Sequence, residues 1–268
     1  MFKKVFLILF LIIIALTFFT TEVFPISKLE KIKASGKLIV GTSADYPPYE
    51  FRLMNEKDGD LVGLDIDIAN VIGKELGVKV VIKNITFHKL FTALESEKVD
   101  ILIAGLNPTY RRTKVADFSI IYYKAIQNLV IKKKDKDKIA FIKDLRGKTV
   151  GTQQGSIQGE IAPTQIIGAK FMFFDTIVEL IKELKNGQLD AIILEKPVAT
   201  SYVARNDDLV NIECMNSGAY DSPLGSAIAV KKGNKKLLDK INKIIKKLEN
   251  ENKINEFVES AKILLNKR

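Results

Sequence analysis

Short β-branched runs alternate with amphipathic helical stretches along this chain, and the alternation starts afresh past its midpoint. Residues 37–41 form a strand-like run. Residues 64–76 place Leu64, Ile68, Val71, Ile72 and Leu76 at helical spacing up to Gly77, and residues 78–85 return to strand character. A helix over 89–97 and a strand over 99–104 complete a β-α-β-α-β unit. The second unit reads strand 149–152, helix 157–167, strand 170–174, helix 176–185 and strand 191–194. Crossovers of this kind lay strands parallel and put helices on both sheet faces. The expected fold is therefore α/β with two lobes, each a mostly parallel sheet flanked by helices. Residues 128–148 open as an apolar strand and become charged and turn-like, and a strand at 226–230 precedes a basic amphipathic helix. Extended connections between two such lobes leave a cleft, where small ligands bind.

The rest of the composition removes alternatives. At 268 residues, 47% hydrophobic and 28% charged, the chain can bury roughly 70–75% of its unfolded surface without a disulfide or metal staple. His88 and Cys214 are the sole histidine and cysteine, so a structural zinc site, a Ser-His-Asp triad and a CxxC redox pair lack their parts. No G-x-G-x-x-G or G-x-x-x-x-G-K-[ST] offers a phosphate cradle. No cofactor or metal is expected. His88 reads as a helix-surface or capping residue, and Cys214 as a packed or surface thiol. Lys3 and Lys4 precede a 15-residue apolar run over 5–19 broken only by Thr17, the layout of a secretory signal and short of the ~20 residues a spanning helix needs. Residues 1–24 are read as a signal peptide, although they carry no small-x-small cleavage box. The protein is expected to be exported, periplasmic or at the cell surface, and membrane-tethered if the segment stays uncleaved.

Five ordered segments carry a family resemblance. They are Gly41-Thr42-Ser43-Ala44-Asp45-Tyr46-Pro47-Pro48-Tyr49-Glu50-Phe51; Gly63-Leu64-Asp65-Ile66-Asp67-Ile68-Ala69; Val99 through Arg112 with Asp117-Phe118-Ser119; Asp144 through Gly151 with Gln154-Gly155-Ser156; and Asp190-Ala191-Ile192-Ile193-Leu194-Glu195. Together they resemble the extracellular solute-binding proteins of family 3, which serve amino-acid ABC importers. The resemblance implies a two-lobed, periplasmic-binding-protein-like fold of type II. Lobe 1 would take residues 27–122 and 226–268, lobe 2 residues 127–219, and the hinge residues 123–126 and 220–225. It also implies a free amino acid as ligand and a membrane permease as partner, with a monomer acting alone and no catalytic residue. An enzyme of the dehydratase type on the same fold and a membrane-tethered sensory protein are the alternatives.

A buried amino acid needs a partner for its carboxylate, its ammonium and its side chain. Arg112 is suited to grip the carboxylate with two parallel N–H donors, aided by the turn Gly155-Ser156-Ile157 that opens a helix. Glu195, ending an apolar strand, is suited to the ammonium, and so is the carbonyl of Gly105. Tyr46 supplies a ring face. The neighbouring Arg111 reads as a solvated charge, and Tyr49, Phe51, Tyr122 and Tyr123 as packing. The resemblance places Ser43, Leu64, Asn107 and Gln153 around the side-chain pocket. Ser43 stands there where relatives often have an acid, and Leu64 where they have a second aromatic. Ser43, Asn107 and Gln153 point to a polar or basic amino acid. The formal charge is +10, and residues 231–268 hold twelve Lys/Arg against five Asp/Glu. Without interleaved aromatics this is a solvated basic helix face, and no nucleic-acid partner is expected.

Overall fold

The computed structural model describes residues 26–53, 60–213 and 225–266. The signal segment, Cys214 and most of the second expected hinge strand lie outside them. In chain order the elements are α1 (Lys28–Ser35), β1 (Lys37–Thr42), β2 (Asp45–Tyr46), β3 (Glu50–Arg52), β4 (Leu61–Val62), α2 (Leu64–Leu76), β5 (Lys79–Asn84), α3 (Leu90–Glu95), β6 (Ile101–Leu102), β7 (Ala116–Phe118) and β8 (Gln127–Lys132). There follow β9 (Thr149–Gln153), α4 (Ile157–Gln165), β10 (Lys170–Phe174), α5 (Ile177–Asn186), β11 (Ala191–Glu195), α6 (Lys196–Val203), β12 (Leu209–Glu213), β13 (Ala229–Lys231), α7 (Lys235–Asn250) and α8 (Lys253–Asn266).

Two five-stranded sheets result, ordered β5-β1-β6-β13-β7 and β10-β9-β11-β8-β12. The first three strands of each pair in parallel, and the fourth runs against both of its neighbours. The two sheets thus repeat one topology. In each, the reversed strand, β13 or β8, is the one that enters from the other sheet's half of the chain. The strand expected over 226–230 is shorter than its pattern, because Ser226 pairs instead with Tyr123 in a lone bridge. The expected helix at 89–97 begins as a 3₁₀ turn over Phe87–Lys89 and then runs as α3.

Local chemistry sets the elements that carry the site. Gly63 starts α2 at φ +124°, where a Cβ would sit 2.4 Å from the Tyr49 carbonyl oxygen, so only glycine lets the helix begin there. Leu64, Ile68, Ile72 and Leu76 then bury one stripe against the first sheet. Thr176 and Glu179 form a reciprocal capping box on α5, which ends at Gly187 in the left-handed region. Helix α7 buries Leu237, Ile241, Ile244, Ile245 and Leu248 and turns its lysines outward. Among the described residues no helix is long and apolar enough to cross a membrane.

Candidate functional site

Parallel strands end together, and the loops beyond their carboxyl ends converge. Tyr46 follows β1, the 103–112 loop follows β6, Gln153 closes β9 and Glu195 closes β11. These ends face one another across a narrow cavity of about 10 Å³, lined by Tyr46, Phe87, Gly105, Asn107 and Arg112 from the first half and Gln153, Ser156, Ile157, Gln158 and Glu195 from the second. Eight of the ten residues singled out from sequence are therefore neighbours. Ser43 and Leu64 are elsewhere. Leu64 is fully buried in the core under α2, because the helical stripe that identifies α2 turns it toward the sheet. Ser43 is buried beside β1, with its carbonyl accepting from Asp45 N.

Arg112 is 4% exposed. Its Nη1 donates to the Asn107 carbonyl and its Nη2 to the Gly155 carbonyl across the cleft, both at 2.9 Å. The guanidinium carbon lies 5.6 Å and 5.4 Å from the ring centroids of Phe87 and Phe91, within cation–π range. Among the described residues no carboxylate comes within ion-pair distance of it. Burial lowers its pKa to about 10, with Glu160 opposing, so it stays charged at neutral pH. A buried cation held by carbonyls and aromatic faces alone is set to receive an anion. Beside it, Ile157 and Gln158 open α4 with backbone N–H groups that have no intrahelical acceptor. The Ser156 hydroxyl, expected to face the anion, is instead engaged: it donates to the Gln153 carbonyl at 2.7 Å and accepts from Gly159 N at 3.1 Å as the helix cap.

The opposite wall is acidic. Glu195 is 3% exposed, accepts from the Tyr49 hydroxyl at 2.5 Å, and meets the Asn107 amide at 3.4 Å. Burial raises its pKa to about 7, while the bonds from Tyr49 and Asn107 pull it down. The same Asn107 amide reaches the Gly105 carbonyl at 3.5 Å. Both contacts exceed the usual 2.7–3.2 Å. Glu195 and the Gly105 carbonyl are thus acceptors that a three-donor ammonium would satisfy better than this amide does. Gly105 itself sits at φ +54°, where a Cβ would lie 3.1 Å from Tyr46 Cε1, so glycine lets the ring lie flat on the loop. The Tyr46 ring in turn stacks on Tyr49 at 5.4 Å. Behind them Asp65 accepts from Gly105 N at 2.9 Å and from the Tyr122 hydroxyl at 2.7 Å, fixing the loop from below. Glu50 is buried without a hydrogen-bond partner for either oxygen, and burial beside Asp65 pushes its pKa well above the carboxylate range.

Four contributors escape sequence reasoning. Phe87 and Phe91 read as helix packing from their i, i+4 spacing, and that same spacing sets both rings on Arg112. Gln158 lines the cavity and donates to Gln127 at 2.9 Å, with no motif to mark it. Tyr49, read as packing, is fully buried and also fixes Glu195. His88 lies on the 3₁₀ turn, 3.2 Å from Asp175 of the second half. A larger, more open groove lies between α6 and α8. Of the three lysines lining it, Lys196 reaches Glu213 at 3.2 Å and Lys262 reaches Glu259 at 2.7 Å.

Residues 38–260 match the profile of the bacterial extracellular solute-binding proteins, family 3. The chain is 41% identical over 218 residues to the arginine-binding extracellular protein ArtP of Bacillus subtilis, covering 80% of this chain and 81% of that protein. It is 28% identical to the L-cystine-binding protein TcyJ of Escherichia coli, covering 82% and 80%. Among solved structures, the amino acid ABC transporter substrate-binding protein AbpA of Streptococcus pneumoniae bound to L-arginine superposes with a TM-score of 0.83 at 34% identity, covering 89% of this chain and all of that one.

Proposed function

Because the chain belongs to the bacterial extracellular solute-binding proteins, family 3, an exported class whose relatives bind amino acids for ABC importers, we propose that its own ligand is a cationic amino acid, arginine first. The observation that carries this reading is the pairing of opposite unsatisfied charges across one small cavity. Buried Arg112 has no counter-ion among the described residues and faces the ligand carboxylate, and buried Glu195 with the Gly105 carbonyl faces the ammonium. The balance of buried charge near the cavity then favours a third, positive group on the ligand. Glu195 lines the cavity and Asp65 lies behind the Gly105 loop, with Arg112 as the one buried cation among the described residues, whereas Glu50, pushed well above the carboxylate range, is protonated and adds no charge. A guanidinium at the acidic end offsets that excess, whereas an aliphatic side chain leaves it uncompensated. The curated relatives that bind arginine support the same choice.

The ligand acts by population shift. Its partners sit on both halves, so binding draws the halves together about residues 123–126 and 220–225, with lobes at 27–122 plus 226–268 and 127–219. The closed form then docks, as a monomer, on a membrane permease. The role is capture and delivery and not catalysis, because the cavity's groups serve to hold charges and its one raised acid is committed to an ammonium. Titration calorimetry across arginine, lysine, histidine, glutamine, cystine and leucine tests the assignment. Tightest binding is expected for arginine, and tighter binding of leucine or another uncharged amino acid refutes it.

A further inference from the structure

Asp45 ties the two halves together at a point the ligand does not touch. It belongs to β2, beside the first sheet, yet its Oδ2 accepts at 2.7 Å from the backbone N–H of Ile177, the first residue of α5 in the second half. The capping box of Thr176 and Glu179 already engages the Glu179 N–H, so Asp45 satisfies a further first-turn donor that helix geometry leaves free. The carboxylate also lies at the positive end of the helix dipole. A second cross-cleft bond supports it: the Tyr202 hydroxyl of α6 donates to the Asp45 carbonyl at 2.8 Å. Asp45 does not line the cavity, so an arriving ligand leaves both bonds in place.

The other polar bridges between the halves among the described residues are of three kinds, one being the bond from Arg205 Nη2, just past α6, to the Leu265 carbonyl of α8 at 3.1 Å. Arg111–Glu160 and His88–Asp175 are ion pairs whose Arg111 and Asp175 side chains are 75% and 56% exposed, and exposed pairs contribute little. The contacts of Arg112 with Gly155, and of Tyr49 and Asn107 with Glu195, belong to the cavity and rearrange when it fills. Asp45 is the one carboxylate among these that is both shielded and outside the cavity lining. We propose that Asp45 is a ligand-independent latch that populates the closed arrangement before the amino acid arrives, and so sets the affinity of the site. A hydrogen bond to a charged acceptor corresponds to roughly a 10- to 100-fold bias in a two-state equilibrium. The apparent dissociation constant is the intrinsic one divided by the closed fraction. The second carboxylate oxygen, Oδ1, is buried with only the Gln153 side chain beside the carboxylate to support it, which tempers the bias and keeps the latch reversible.

The inference rests on the hinge-closing reading, and its test separates the two. Nitroxide labels placed at Lys114 and Lys182, in a Cys214→Ser background of the full chain in detergent, report the distance between halves by double electron–electron resonance. Without amino acid, the parent is expected to show a short-distance population, and Asp45→Ala to lose it by 10- to 100-fold in the ratio of short to long. The arginine dissociation constant should rise by up to the same factor, and saturating arginine should restore one short distance in both. Asp45→Asn keeps the acceptor oxygen without its charge and should fall between the parent and Asp45→Ala. Tyr202→Phe removes only the supporting donor, and should give a smaller shift of the same sign even if Asp45→Ala fails to fold. A parent with no short distance before ligand, an unchanged ratio in Asp45→Ala, or a ratio in Asp45→Asn below that of Asp45→Ala overturns the latch. A parent that shows the short distance and binds no amino acid overturns the ligand assignment instead.

Discussion

Replacing Arg112 with alanine separates binding from folding. In the unliganded protein the substitution removes two hydrogen bonds of a charged donor, to the Asn107 and Gly155 carbonyls, each contributing about 1.5–3 kcal/mol. It also removes a guanidinium that is 4% exposed and without a carboxylate partner, and the burial of such an ion costs several kcal/mol. The two nearly cancel, so the melting temperature without ligand should move by no more than about 4 °C. In the complex the same guanidinium is the counter-ion of the ligand carboxylate, and removing one member of a buried pair costs about 3–5 kcal/mol. The dissociation constant should therefore rise roughly 150- to 5,000-fold. At an amino-acid concentration of about 100 times the parent's dissociation constant, the parent gains about 2.7 kcal/mol, a rise of roughly 5–11 °C. The variant should gain almost nothing. Scanning fluorimetry with and without arginine measures both quantities, and calorimetry confirms the affinity. A variant that keeps more than half of the ligand-induced shift, or that loses more than 10 °C without ligand, refutes the reasoning.

Three further outcomes are expected. Glu195, with its pKa raised by burial to about 7, must be ionised to hold an ammonium. Binding should be independent of pH above 7 and weaken up to tenfold per unit below it as each binding event expels a proton; calorimetry in buffers of different ionisation enthalpy should detect that proton near pH 6, and equal affinity at pH 5.5 and 8 would contradict it. The stability of the unliganded protein has the opposite sign, since a raised acid stabilises the fold below its unfolded pKa and loses that contribution between about 4.5 and 7. Tyr49→Phe removes the 2.5 Å donor to Glu195 and leaves the ring, so the midpoint of the binding profile should move to higher pH, whereas a midpoint that stays put or falls would show that the bond does not tune the acid. Gly105→Ala places a methyl 3.1 Å from the Tyr46 ring at φ +54°, and a loss of about 1–3 kcal/mol in affinity or stability should appear in paired melting and binding curves; parent-like values in both would count against this account of the glycine.

Much of the fold was legible because periodicity and punctuation act locally. The α2 stripe from Leu64 to Leu76 with its Gly77 stop needs no tertiary information, and neither does the alternation that produced two α/β sheets. Several site residues were legible for a related reason. Strand ends in such sheets converge, so Arg112, Glu195, Gln153 and Gly105 could be placed near one cleft from their positions in the pattern. Direction was not legible. Leu64 and Ser43 were expected at the pocket, yet the helix that identifies Leu64 turns it into the core.

Asp45 shows the limit most plainly. Alternation says from which face of a strand a side chain leaves and nothing about what waits there. The partner of Asp45 is the backbone N–H of a residue 132 positions later, with no side-chain signature at all. Phe87 and Phe91 likewise show helical spacing in the sequence and become a shelf for a cation only when the loop after β6 folds over them. The sequence by itself determined the two α/β units, the family motifs and the charged groups available for a ligand. The tertiary structure decided which of those groups are desolvated together, and desolvation sets the strength of an arginine without a counter-ion and a glutamate without a cation.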